Sequence, residues 1–494
     1  MNNLECSPTL TFSQDSTKAV FRKRVLLLCQ FFLIILVYHT LKDLKDTLVI
    51  TASDAGAEVI PFIKIWGMLP ISIFASYLFS KVYSKMGREK TMYFFVSLLL
   101  GFYLFFAFFL YPLRESLHLT GFGEQLQSVL PPGCKGFVSM ICHWIYTAFY
   151  LTAELWSMLI LSILFWGYVN QVSSIKDAKQ FYPLCMIVGN CAGIVSGQTS
   201  CYLCRHLMDY LSWQQTLQLM VLLVTFCGIG IMWINRELSR SMNTPATTPS
   251  KNKQEREKIS FKDSLMCISR SPLLICIALL VVGFGLTSNL IEVIWKESIK
   301  KVHPGPQEYN AYINQLTSII GACAVIASIL SRWVFRVFSW TTVALITPVI
   351  LLLTSSVFFL SFQLSPGQME FISSYIGLNP LYLIMTVGSC YCVMAMTAKY
   401  TVFDMTKEMA FLSLESSERI KAKSIIDTMG SRIGKSGAAG IYQFLLIFFG
   451  STAGQTPFIG IIATLVIGAS VVAVKKIGGT LSSNEDYETA KAIL

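Results

Sequence analysis

Charge is scarce in this sequence. Only 14% of its 494 residues are Asp, Glu, Lys or Arg, against roughly a quarter in soluble domains. With 54% apolar residues and a mean hydropathy of +0.58, that shortage excludes a water-soluble globular fold. The five His are dispersed, and neither a metal-ligand spacing nor a catalytic triad is present. The chain is therefore not read as an enzyme, and no metal or cofactor is expected. The fourteen Cys lie mostly inside apolar runs, where a thiol behaves as a small hydrophobe, so no disulfide framework follows. Cys201-Tyr202-Leu203-Cys204 lacks the second pair that a zinc site would need. The first twenty residues carry Glu5 and Asp15 and do not resemble an Arg-rich, acid-poor transit peptide. No small-residue cleavage site follows the apolar run that begins near Val25, so that run is taken as a retained first span.

What the sequence has in place of charge is a succession of apolar runs. Measured against the ~20 residues a membrane helix needs, they give twelve spans. Lys and Arg gather in alternate loops: Arg22, Lys23 and Arg24 before the first span, Lys81, Lys85, Arg88 and Lys90 between the second and third, and Lys475 and Lys476 after the last. Loops 362–377 and 451–455 have none, while Lys296, Lys300 and Lys301 after the seventh span are an exception. This asymmetry places both termini in the cytoplasm. It also accounts for the net charge of +11 without a nucleic-acid partner. The polar, basic stretch 235–270 divides the chain into a cytoplasmic segment (1–24), a six-helix bundle (25–234), the linker itself, a second six-helix bundle (271–475) and a cytoplasmic tail (476–494). The expected fold is an all-α membrane protein with twelve transmembrane helices in two six-helix halves. That is the major-facilitator layout, whose halves rock about a midplane site. Its partners are then the lipid bilayer and a solute, and a monomer is expected.

An ionisable side chain in hydrocarbon costs about 2.5–3.5 kcal/mol on insertion scales, so each one needs a reason. Leu41-Lys42-Asp43-Leu44-Lys45-Asp46 crowds four charges onto the end of the first span. On a helix His39, Lys42, Asp43 and Asp46 share a face with Lys45 beside it. This reads as a cavity wall for an anionic solute, or else as an interfacial cluster that ends the helix. Lys64 lies at least a turn inside the second span and either faces the cavity or snorkels outward. Glu154 falls in the middle of the run 137–170, about 50 Å long if it is one helix. Glu292 closes the seventh run, where an interfacial pair with Lys296 is the alternative. Lys435 opens the eleventh span on the Gly-rich sequence Gly434-Lys435-Ser436-Gly437, read as a turn whose amides favour phosphate. Met429 stands where a P-loop would have Gly, and no strand precedes it, so hydrolysis of ATP is not implied. Lys, Arg and carboxylates lining a pore bind and release.

At these residues the chain resembles the non-mitochondrial ATP/ADP translocases, the nucleotide transporters of plastids and of obligate intracellular bacteria of the chlamydial and rickettsial type. The resemblance runs from about residue 37 to 475. It rests on Tyr38-His39-Thr40-Leu41-Lys42-Asp43-Leu44-Lys45-Asp46, Glu58-Val59-Ile60-Pro61-Phe62-Ile63-Lys64, Ala153-Glu154-Leu155-Trp156, Phe165-Trp166-Gly167-Tyr168-Val169-Asn170-Gln171, Asn289-Leu290-Ile291-Glu292-Val293-Ile294-Trp295-Lys296, Ala398-Lys399-Tyr400-Thr401-Val402-Phe403-Asp404 and Gly434-Lys435-Ser436-Gly437.

That resemblance implies exchange of ATP for ADP, with proton-coupled or NAD/ADP-exchanging import as the alternative. In the family, the charged residues linked to transport match Lys64, Glu154, Glu292 and Lys435. The first motif departs from the family pattern at Lys42 and Leu44, more usually Arg and Thr, and the last at Ala438, more usually Gly. A bacterial inner membrane is expected. Lys64 and Lys435, one from each half, would clamp the phosphates with Lys42 or Lys45 as a further contact. Glu154 and Glu292, with Asp43 and Asp46, would pair with lysine when the site is empty. Asn170, Lys399 and Arg432 are further cavity candidates.

Overall fold

A computed structural model describes residues 14–52, 56–172, 175–242, 266, 268–414, 418, 422, 423, 425, 426 and 430–482. The start of segment 1–24, most of linker 235–270 and most of tail 476–494 lie outside the described residues. Hydrocarbon offers no water to an unpaired N–H or C=O, so apolar runs close their hydrogen bonds within helices. The long described helices are α1 (Gln14–Ala52), α2 (Met68–Phe105), α3 (Trp144–Leu155), α4 (Ile175–Arg205), α5 (Trp213–Met242), α6 (Pro272–Val302), α7 (Pro306–Val337), α8 (Trp340–Gln363), α9 (Pro380–Ala398), α10 (Ser431–Phe449) and α11 (Thr452–Ser482).

Ten described helical stretches are long and apolar enough to cross a membrane. One of them, Gly56–Leu110, holds 55 residues, far more than one crossing requires. It doubles back at Gly87, whose φ of 73° and ψ of 175° break the helix, a conformation glycine adopts without a Cβ penalty. Phe79 and Phe95, equally spaced about that glycine, stack with centroids 5.7 Å apart; a straight helix would hold them ~24 Å apart. Counted as two passes and taken with α10, the hairpin brings the described stretches to a number consistent with the twelve expected. We call the end of the bundle where α1 begins and α11 finishes the terminal end, and the opposite one the far end.

The run 137–170 is not one helix. Its first part belongs to a short helix, Lys135–Cys142, that stops at His143 (φ −98°, ψ 44°) before α3 begins. That helix caps the far end, its Phe137 ring 6.2 Å from Phe62. The crossing proper is Trp144–Val169, which leaves Glu154 near its middle. Among the described elements, Ile63–Gly67, Phe106–Leu110, Trp156–Trp166 and Lys399–Phe403 widen to π-helix. Lys64 lies in the first, Glu154 two residues before the third, and Lys399 opens the fourth. Such insertions concentrate at functional sites, and composition gave no sign of them.

The halves meet along α4 and α7 and between α1 and α6. Contacts between them gather from mid-bundle to the far end. Cys204 Sγ donates to Asn310 Oδ1 (3.3 Å), Asn310 Nδ2 to Thr47 Oγ1 (2.8 Å) and Gln443 Nε2 to the Pro61 carbonyl (2.8 Å). The Ala57 amide donates to Glu297 Oε2 (2.9 Å), and Thr452 donates to Glu58.

Candidate functional site

The charged end of α1 is well inside the protein. Asp43, Lys45 and Asp46 are 1%, 5% and 1% exposed, so they are not an interfacial cluster. Carboxylates this deep must be matched by cations and donors. Lys45 Nζ donates to Asp46 Oδ1 at 2.9 Å, lies 3.1 Å from Glu154 Oε1 and sits 3.7 Å from the centroid of the Tyr150 ring. On its other oxygen Asp46 accepts from Lys296 Nζ of α6 at 2.7 Å. Lys296 also donates to Glu292 Oε1, one turn back on the same helix, at 2.5 Å. The second oxygen of Glu292 is 3.9 Å from Lys64 Nζ. Lys64 in turn donates to Asn289 Oδ1 at 2.7 Å.

Read along these distances, Glu154, Lys45, Asp46, Lys296, Glu292 and Lys64 form one chain of alternating sign that crosses twice between the halves. Asp43 stands beside it: Thr317 of α7 donates to its Oδ2 at 2.7 Å, and Lys42 Nζ is 3.8 Å from Oδ1.

The lysines divide by how completely they are matched. Lys45 and Lys296 each face two carboxylates and are almost wholly buried. Lys64 has one distant carboxylate, and its side chain is 21% exposed. Lys42, with one long contact to its neighbour, is more open still. Lys435 and Arg432 are exposed positions of α10, and Lys435 lies within Coulombic range of both Glu154 and Lys64. The structure thus gathers Lys64, Glu154 and Glu292 into one network and sets Lys435 within its field, without an ion pair to Lys435 among the described residues. Lys399 is separate from the chain, its Nζ 5.2 Å from the centroid of Tyr400 and 5.8 Å from that of Phe284. Asn170 is on the helical turn Gly167–Val172, and its side chain lies outside the described residues.

Two local expectations change. Gly434-Lys435-Ser436-Gly437 is not a turn but the interior of α10, and even Gly430 before it is helical (φ −56°, ψ −46°). Its amides are therefore engaged along the helix and form no anion cradle. Gly434 serves packing instead: a Cβ there would lie 2.7 Å from the Val282 carbonyl oxygen of α6. The Glu292–Lys296 pair exists, yet it is buried in the network rather than placed at the interface. Lys296, 3% exposed, is the residue that sequence reasoning passed over. Its signal was present, four residues after Glu292 and on the same helical face.

Residues 16–480 match the family model for the TLC ATP/ADP transporter. The chain is 35% identical to an ADP,ATP carrier protein 1, chloroplastic, of Arabidopsis thaliana over 95% of this chain and 76% of that protein. It is 34% identical to an ADP,ATP carrier protein 1 of Chlamydia pneumoniae over 92% of this chain and 90% of that one. Among solved structures it is similar to a bacterial homologue of the iron transporter ferroportin in an inward-facing state, with a TM-score of 0.61 at 11% identity over 93% of this chain and 99% of that chain. A D-xylose-proton symporter aligns with a TM-score of 0.54 at 10% identity over 93% and 97% of the two chains. At these identities the structural likeness speaks for the fold alone, which is of the major-facilitator type.

Proposed function

Because the chain belongs to the TLC ATP/ADP transporter family, we propose that it exchanges ATP for ADP across a membrane by alternating access, with the charge network as its nucleotide site. The observation that carries this reading is Lys64, a cation of the first half held loosely between Glu292 and Asn289 of the second. A polyphosphate offers several anionic oxygens, and lysine grips them as a point charge without demanding one geometry. Lys64, Lys435 and Lys42 retain unspent capacity for phosphate. Lys45, already bound by Asp46 and Glu154, acts as a charge partner more than as a phosphate ligand. Glu154, Glu292, Asp43 and Asp46 neutralise the lysines when no nucleotide is bound. Lys399, Arg432 and Asn170 are secondary cavity positions.

Both halves of the site come from one chain, so a monomer suffices. The chain is a multi-pass integral membrane protein. We place it in a bacterial inner membrane with both termini cytoplasmic, the orientation the basic loops favour.

Obligatory exchange follows from the same charges. Lys64, Lys42 and Lys435 are the cations the internal carboxylates match least, and closing an unloaded site around them would have to desolvate those ammonium groups. In proteoliposomes, labelled ATP should enter only when ADP is loaded inside; uptake driven by a pH gradient without internal ADP would instead support proton coupling. Lys435→Ala should lower exchange about tenfold or more, the worth of one hydrogen bond to a charged group. Parent-like transport by that variant would remove Lys435 from the site.

A further inference from the structure

Two ion pairs of the network cross between the halves: Asp46 with Lys296 at 2.7 Å and Lys64 with Glu292 at 3.9 Å. Breaking a buried pair by removing one partner is costly, because a charge is left stranded. Here neither member of the first pair would be stranded. Asp46 keeps Lys45 of its own helix at 2.9 Å, and Lys296 keeps Glu292 of its own helix at 2.5 Å. Lys45 in addition keeps Glu154 of its own half.

We infer that Lys296 is a latch, a positioning residue that holds the far end shut while it is shared between Asp46 and Glu292 and releases it when Glu292 claims it alone. The trigger rests on the reading of Lys64 as a phosphate contact; the latch itself needs no nucleotide. Phosphate draws Lys64 away from Glu292. Glu292, with one cation fewer, holds Lys296 more strongly, and Asp46 turns to Lys45. The ends of α1 and α6 are then free to part, each still neutralised within its own half. The next residue of α6, Glu297, accepts the Ala57 amide across the halves at 2.9 Å, so movement of this turn reaches the far-end cap directly.

Hydrogen–deuterium exchange of the purified full-length protein without nucleotide tests the latch, read at the far-end segments 56–62 and 443–452. Asp46→Asn and Lys296→Gln each remove one side of the latch and should speed exchange there about tenfold or more, the worth of one hydrogen bond between charged groups that keep other partners. Glu292→Gln removes the competitor and should slow it. A purely structural role for these charges would make all three variants faster, and that result, or no change in Lys296→Gln, would overturn the latch. Added ADP should speed exchange in the parent and not in Glu292→Gln. If ADP does nothing while the opposite signs hold, the latch stands and the phosphate reading of Lys64 fails.

Discussion

Replacing Lys64 with Gln should reduce ATP/ADP exchange in ADP-loaded proteoliposomes by about 100-fold or more. Two effects add. The variant loses a charge-assisted contact to phosphate worth about 1.5–3 kcal/mol. It also leaves one oxygen of Glu292, previously 3.9 Å from the ammonium, facing incoming phosphate, and two like charges at such a separation repel. About 2.8 kcal/mol in total corresponds to a 100-fold change. Lys64→Arg should recover only part of the loss, since the charge returns on a longer, planar group. Lys42→Gln is the contrast: the carboxylate it leaves, Asp43 at 3.8 Å, still accepts from Thr317 at 2.7 Å and is buried away from incoming phosphate, so its loss should cost less. Equal effects of the two substitutions would mean that Lys64 has no special standing.

The second large effect is expected at a residue that bears no charge. A Cβ placed on Gly197 of α4 would come 2.3 Å from Ser318 Oγ and 2.4 Å from the Asn314 carbonyl oxygen of α7. The hydroxyl can rotate away, but the carbonyl belongs to a helix and cannot. Gly→Ala inside a helix gains about 1 kcal/mol of propensity, while overpacking costs about 1–3 kcal/mol. A clash this short lies at the upper end of that range. Gly197→Ala should therefore lower the unfolding temperature in detergent by about 2 °C, and Gly197→Val should lower it further. Gly437→Ala is the control, because a Cβ there meets nothing within 4 Å; it should be neutral or slightly stabilising. A similar loss at both glycines would show that the α4–α7 contact is not what keeps Gly197 bare.

The fold was legible because hydrocarbon leaves few choices. Apolar runs of sufficient length become helices, and the layout of two halves follows from their number. The family read from the motifs is the one the comparisons show. Lys64, Glu154 and Glu292 were singled out because each charge in a span must be repaid by a partner, and the structure supplies those partners. Lys296 escaped that test because it stands near the end of its apolar run, beside Lys300 and Lys301, where charge usually meets water. Only the tertiary contact with Asp46 reveals its position. The break at His143 escaped for another reason: Lys135–Cys142 and α3 are both predominantly apolar, and hydropathy does not register one residue leaving helical angles. The glycines around Lys435 were read as a turn and belong to a helix, because a bare helix surface and a tight turn call for the same residue.

The surface between the halves has a thermal consequence. From Thr47 and Asn310 to Gly197, Asn314 and Ser318 runs a strip of hydroxyls, amides and bare backbone, beside apolar contacts such as that of Ile194 with Gly321. When the strip parts, water reaches groups it hydrates readily. Apolar exposure raises heat capacity by about 0.45 cal/K/mol per Å², and polar exposure lowers it by about 0.26. A seam of leucines would make the balance between its closed and open forms drift steeply on warming. The polar strip here should make that drift shallower than such a seam would.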